Sequence, residues 1–132
     1  GASESIILLE LPNRYLAGLA EVELKEGYSD KTNWRKMLTN EFTKLDLIKE
    51  KKDALARLSD ELKKYKSGNE TVYQFNYNVL NYPKSVKSVS LKKSDQIKGK
   101  LIGIKGQYLI FEDSTVFNIR SNEGYLVEID LK

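Results

Sequence analysis

A chain of 132 residues has room for one domain or two small ones, and at this size it buries about two-thirds of its unfolded surface. Hydrophobic residues make up 40% and charged residues 31%, a globular balance that argues against disorder, and the net charge of +3 is small. With neither cysteine nor histidine, the chain excludes disulfides, a tetrahedral Cys/His zinc site of its own, and Ser-His-Asp or Cys-His catalysis.

The chemistry left open is narrow. A general base would be a carboxylate, a lysine or a tyrosine with a shifted pKa. A metal site would be oxygen-liganded, suiting magnesium, manganese or calcium. The longest apolar run, Ile6 to Leu9, is strand-sized and far short of the ~18 residues that span a bilayer. There is no charged-then-apolar leader. The expectation is a cytoplasmic protein without a membrane partner.

Along the chain, Ser5 to Leu11 (SIILLEL) predicts a buried strand of the kind covered on both faces. Pro12 punctuates, and Asn13 is a good N-cap for a helix from Arg14 to about Glu26, ended by Gly27. Tyr15, Leu16, Leu19, Ala20, Val22 and Leu24 give it a broad apolar surface. On another side Arg14, Ala17, Gly18, Glu21 and Lys25 make a shallow spot flanked by a cation and an anion. Either a neighbouring element packs closely there, or a substrate or metal approaches the helix. Tyr28 to Asn33 reads as a polar loop. Trp34, Met37 and Leu38 predict a short helix, and Asp46 to Lys66 a longer stretch that Ser59 divides in two. Ile48, Leu55, Leu58, Leu62 and Tyr65 form its apolar stripe, interrupted at Lys51 and Lys52.

Lys66 to Glu70 (KSGNE) marks a change of pattern. Tyr73, Phe75, Tyr77 and Val79 then alternate with polar residues, as in a half-buried strand. Further strands are predicted at Val86 to Leu91, Ile97 to Ile104 with Gly99 and Gly103 allowing a bulge, Gln107 to Phe111, Thr115 to Ile119, and Tyr125 to Leu131. The fold expected is α+β. Residues 1–66 make a strand plus helices, a remnant of an α/β lobe with a helical extension. Residues 67–132 make a small antiparallel β-domain, an SH3-like or OB-like barrel or a curved sheet.

Charge is distributed unevenly. Residues 84–105 hold seven lysines against Asp95, whereas residues 106–132 hold five acids against Arg120 and Lys132. The cationic segment is a candidate polyanion footprint, with Lys87, Lys92, Lys93, Lys98 and Arg120 as contacts to DNA or RNA and Tyr73, Tyr77 and Tyr82 as stacking residues. The competing reading is a solvated lysine edge that discourages strand-to-strand aggregation. In that case the chain is an interaction or dimerisation module.

Two stretches carry a family resemblance: LPNRYLAGLAEVELKEGYSDKTNWRKML (Leu11 to Leu38) and GKLIGIKGQYLIFEDSTVFNIRSNEGY (Gly99 to Tyr125). They resemble the domain-of-unknown-function family numbered two-seven-nine-seven, found in bacterial and archaeal proteins. The resemblance implies a longer protein, with paired CxxC motifs of zinc-ribbon type and then a segment similar to GIY-YIG nucleases ahead of this part. Zinc and a divalent cation such as magnesium would then be cofactors of the intact protein, which would be a metal-dependent nuclease. By the same resemblance Glu21 matches the glutamate that holds the metal, and Arg14 lies on the same helix face. The tyrosines and arginine that would complete such a site are not in this chain, so the expectation is that it does not cut nucleic acid by itself.

Overall fold

The computed structural model describes residues 1–29 and 31–131. Asp30, in the predicted polar loop, and Lys132, in the charge count, lie outside them. The chain forms two compact units that interleave along the sequence, one from Ala2–Asn33 and Phe42–Asn76, the other from Gly1, Trp34–Glu41 and Tyr77 onward. The division is not a single cut after residue 66. Residues 67–76 stay with the helices, and a short helix from the first half joins the main sheet.

In the helical unit, Asn13 has extended backbone and accepts the Leu16 N–H at 3.0 Å, which starts α1 (Arg14–Leu24) where the sequence predicts. The helix ends without a left-handed glycine: Gly106 and Gly124 are the positive-φ glycines, and Gly27 is not among them. Gly27 is instead a close-approach position, since a Cβ there would come within 2.8 Å of the Arg57 Nη1. Asp46 caps α3 (Leu47–Arg57), accepting from the Ile48 and Lys49 amides. Extended backbone at Leu58 and Ser59 then breaks the stretch before α4 (Asp60–Lys63). Ser59 does divide it, but its side chain caps nothing; its amide donates to Glu23 Oε2 at 2.7 Å. Leu16, Ala20 and Leu24 recur every four residues along α1 and pack with Leu58 and Leu62.

The strand expected over Ser5–Leu11 is shorter and differently placed. β1 (Glu4–Ile6) pairs antiparallel with β2 (Val72–Gln74) in a two-stranded sheet, and its three residues are half-buried rather than buried. Beyond it Leu8, Leu9 and Leu11 pack onto the helical cluster. Main-chain bonds from Glu10 to Tyr65 and from Ser67 to Leu8 hold that turn.

Lys51, read from sequence as an interruption of the apolar stripe, is 4% exposed. Its Nζ donates to the carbonyls of Ser67 (2.9 Å) and Asn69 (2.7 Å). Ser67, equally buried, donates to Glu10 Oε1 at 2.5 Å. The KSGN turn is thus closed by a buried ammonium spanning two carbonyls.

In the second unit, α2 (Trp34–Leu38) lays Leu38 against Tyr108, Ile110 and Val116, and Trp34 stacks on Tyr108 with ring centroids 5.8 Å apart. The sheet is built from β3 (Lys87–Val89), β4 (Leu101–Lys105), β5 (Tyr108–Phe111) and β6 (Thr115–Asn118), in spatial order β3-β6-β5-β4. Gly106 at φ +58° turns β4 into β5, and Ser114 at φ +67° turns β5 into β6. The predicted bulge falls between Leu101 and Gly103, where the backbone of Val79 comes close enough to bridge Gly103.

Four expectations are corrected. β3 runs parallel to β6, because the chain from Ser90 to Lys100 crosses from one edge of the sheet to the other before β4 begins. The sheet is therefore mixed rather than antiparallel. It is also open, which excludes the closed SH3-like or OB-like barrel and leaves the curved-sheet alternative of the same expectation. The sixth strand, Tyr125–Leu131, forms no ladder among the described residues, and nothing bridges the two edges. Finally, the alternating run from Tyr73 to Val79 is no single strand: Tyr73 and Phe75 stay exposed beside β1, while Tyr77 and Val79 belong to the other unit.

The Lys51 closure has a measurable consequence. Lys51→Met keeps the apolar stem but leaves two carbonyls without their donor, so chemical denaturation should show a loss of about 1–3 kcal/mol. An unchanged midpoint would mean that water replaces the ammonium at no cost.

Candidate nucleic-acid interface

β3 and β6 run side by side in the same direction, so the segments that follow them emerge at the same end of the sheet. After β3 comes a turn in which Lys92 donates its amide to Ser90 Oγ (3.2 Å) and Lys93 to the Ser90 carbonyl (3.1 Å). After β6 comes a 3-10 turn, Arg120–Asn122. Asn122 is buried and locks the two together. Its Oδ1 accepts from Ser90 Oγ and the Leu91 amide, both at 3.0 Å, and its Nδ2 donates to the Asn118 carbonyl at 2.8 Å. One amide thus satisfies both segments, which puts the exposed Lys92 and Lys93 beside the turn that carries the exposed Arg120. None of these three cations forms an ion pair among the described residues.

The rest of the cationic segment is dispersed. Lys87 is exposed on β3, near Asp113 in the β5–β6 turn. Lys98 is exposed in the following loop, with no bond tying it to the clamp. Lys100 pairs with Glu112 at 2.9 Å. Lys105 is 3% exposed, lying 5.2 Å from the Tyr77 ring centroid and 4.8 Å from that of Tyr82, and it donates to Asn40 Oδ1 at 3.2 Å. Burial holds its pKa below the usual lysine value and raises that of Tyr82, with Tyr77 adding to the latter. Tyr77 and Tyr82 thus flank a buried ammonium and are half-buried, which removes them as an open stacking platform. Tyr73 is exposed on β2 in the other unit and accepts from Asn69 Nδ2.

Arg14 and Glu21 are both exposed on α1 and form no ion pair with each other. A Cβ added at Gly18 would meet nothing within 4 Å, so the small-residue spot is not a packing contact. Tyr15 and Val22, part of the broad apolar surface of α1, are 73% and 67% exposed. Among the described residues no three carboxylates gather to hold a metal ion, and a lone exposed Glu21 does not fit a magnesium site on its own.

Sequence reading located the cations but missed Asn122 and Ser90. The asparagine stands in a turn-forming SNEG run, where its type is unremarkable. Only its burial shows that it joins two segments some thirty residues apart.

Fold and site define an α+β protein with an open mixed sheet and a cationic end. The chain belongs to the family described as "Protein of unknown function (DUF2797)", whose model matches residues 1–127. No curated protein and no solved structure matches it. No helix among the described residues is long and apolar enough to cross a membrane.

The β5–β6 turn, at the opposite end of β6 from Arg120, offers a check on the geometry of the sheet. Asp113 accepts from Thr115 Oγ1 (2.6 Å) and the Thr115 amide (3.0 Å), which holds its pKa below 3.8, with a smaller contribution from Lys87. A depressed folded-state value means a stabilising contribution present above the unfolded pKa and lost as pH falls through the folded one. In NMR titration Asp113 should protonate below 3.8, the ordinary aspartate value, and Thr115→Val should move it back toward that value. Titration of the wild type at the ordinary value would show that the turn is not closed in solution.

Proposed function

We propose that this chain associates with nucleic acid through the cationic end of its sheet. The observation that carries this reading is the Asn122 clamp, which sets Lys92 and Lys93 beside the segment of Arg120, all exposed and without acidic partners. Three cations fixed on neighbouring short turns suit successive phosphates, and each contact gains by releasing condensed counterions. Cations that meet phosphates position a strand without reading its sequence, so the mode is backbone contact. In the longer cytoplasmic protein that the family resemblance implies, this unit would hold the strand near a nuclease-like lobe. Glu21 would serve there as one metal ligand, with the remaining ligands and the catalytic groups coming from outside these 132 residues.

A second reading is favoured by α1. Tyr15, Leu19 and Val22 form an exposed apolar line along the helix, which suits a protein partner better than a phosphate backbone.

The two readings separate on salt. Fluorescence anisotropy with labelled single-stranded DNA, duplex DNA and RNA should show binding that weakens with salt. For about three phosphate contacts the log-log slope on duplex should be roughly −2.7. Lys92→Glu with Lys93→Glu should weaken binding by at least tenfold or so and flatten the slope by about two. No binding at low salt, or binding indifferent to the double reversal, would rule the lysine patch out.

A further inference from the structure

Residues 125–131 (YLVEIDL) carry the alternation of a strand, with Tyr125, Val127, Ile129 and Leu131 on one side and Leu126, Glu128 and Asp130 on the other. They nevertheless pair with nothing among the described residues. Val127 is 55% exposed and Ile129 77%, and Leu126 and Leu131 are almost wholly so. A strand-forming apolar segment left in water is costly and prone to pair.

The same unit offers a matching vacancy. β3 is the outermost strand of its sheet, with β6 on one side and, among the described residues, no ladder on the other. The Lys87 amide donates inward to the Ser114 carbonyl, so the alternation of the ladder turns the Ser88 N–H and C=O to the open side. Charge agrees with geometry. The tail bears Glu128 and Asp130, while β3 and its flanks bear Lys84, Lys87, Lys92 and Lys93.

We infer that the 125–131 tail is a donor strand that pairs with the open β3 edge of a second copy of this chain. Within one chain the tail and the edge are both unpaired, and a two-fold exchange satisfies both at once. The tail's backbone groups meet those facing out at Ser88. Its two strand acids lie among the β3 lysines, and Val127 and Ile129 leave water. Since those lysines flank the proposed polyanion contact, exchange and nucleic-acid binding would compete for one edge. The exchange itself does not depend on that function.

Sedimentation equilibrium of the chain at low salt, across a wide concentration range, tests this. The expected result is a mass rising from one chain to two. Val127→Pro with Ile129→Pro removes two donors from an exposed segment and should weaken dimerisation about tenfold or more, with the melting temperature of the monomer unchanged. Lys84→Glu with Lys87→Glu should weaken it as well, and adding Glu128→Lys with Asp130→Lys should restore it by charge exchange. A wild type that stays monomeric overturns the inference, including the case where hydrogen exchange finds the tail amides protected in the monomer, which would place the tail on its own β3. Dimerisation equal in the proline variant overturns it too.

Discussion

An open four-stranded sheet cannot bury its own apolar face, and the second unit is organised around that constraint. Ile110 and Val116 point to one side of the sheet with no exposed surface, and what covers them is α2, contributed by residues that precede the rest of the unit by some forty positions. Leu38 fills the space over them and Trp34 stacks on Tyr108 at its margin. The interleaving of the two units along the chain follows from this. The helix leaves the helical unit because the sheet needs it, and the chain then returns to finish the helices and β2.

Polar burial organises the rest. In each unit a long cation is withdrawn from solvent to close a loop: Lys51 over the KSGN turn, and Lys105 between Tyr77, Tyr82 and Asn40. Burying an ammonium is tolerable only with close acceptors or aromatic faces, and both sites supply them. The effect on function is subtractive. Of seven lysines that look alike in the cationic segment, one is buried and one is neutralised by Glu112, so the useful field contracts toward the end of β3. Asn122 then adds Arg120 to that field from another part of the chain.

The apolar surface left over is unevenly placed. α1 buries Leu16, Ala20 and Leu24 but leaves Tyr15, Leu19 and Val22 in water, and the terminal segment leaves most of its apolar side chains there. Apolar surface of this kind is what the proposed protein contacts would cover.

Local chemistry was legible in the sequence at several positions where it acts within a few residues. Asn13 caps its helix, the chain breaks at Ser59, and a bulge falls at Gly103. These follow from side-chain and backbone preferences that need no distant partner. The α+β class and the positions of β4, β5 and β6 follow in the same way. What tertiary structure alone decided is everything set by pairing across long separations. It made β3 parallel to β6, kept the sheet open and the tail unpaired, and split the Tyr73–Val79 alternation between two units. It also turned Lys51 inward and made Asn122 the link between two cationic turns. A period-two pattern says that a strand has two faces but not which edge it meets. A lysine or asparagine carries in its own type no sign of whether its partner is water or a carbonyl far along the chain.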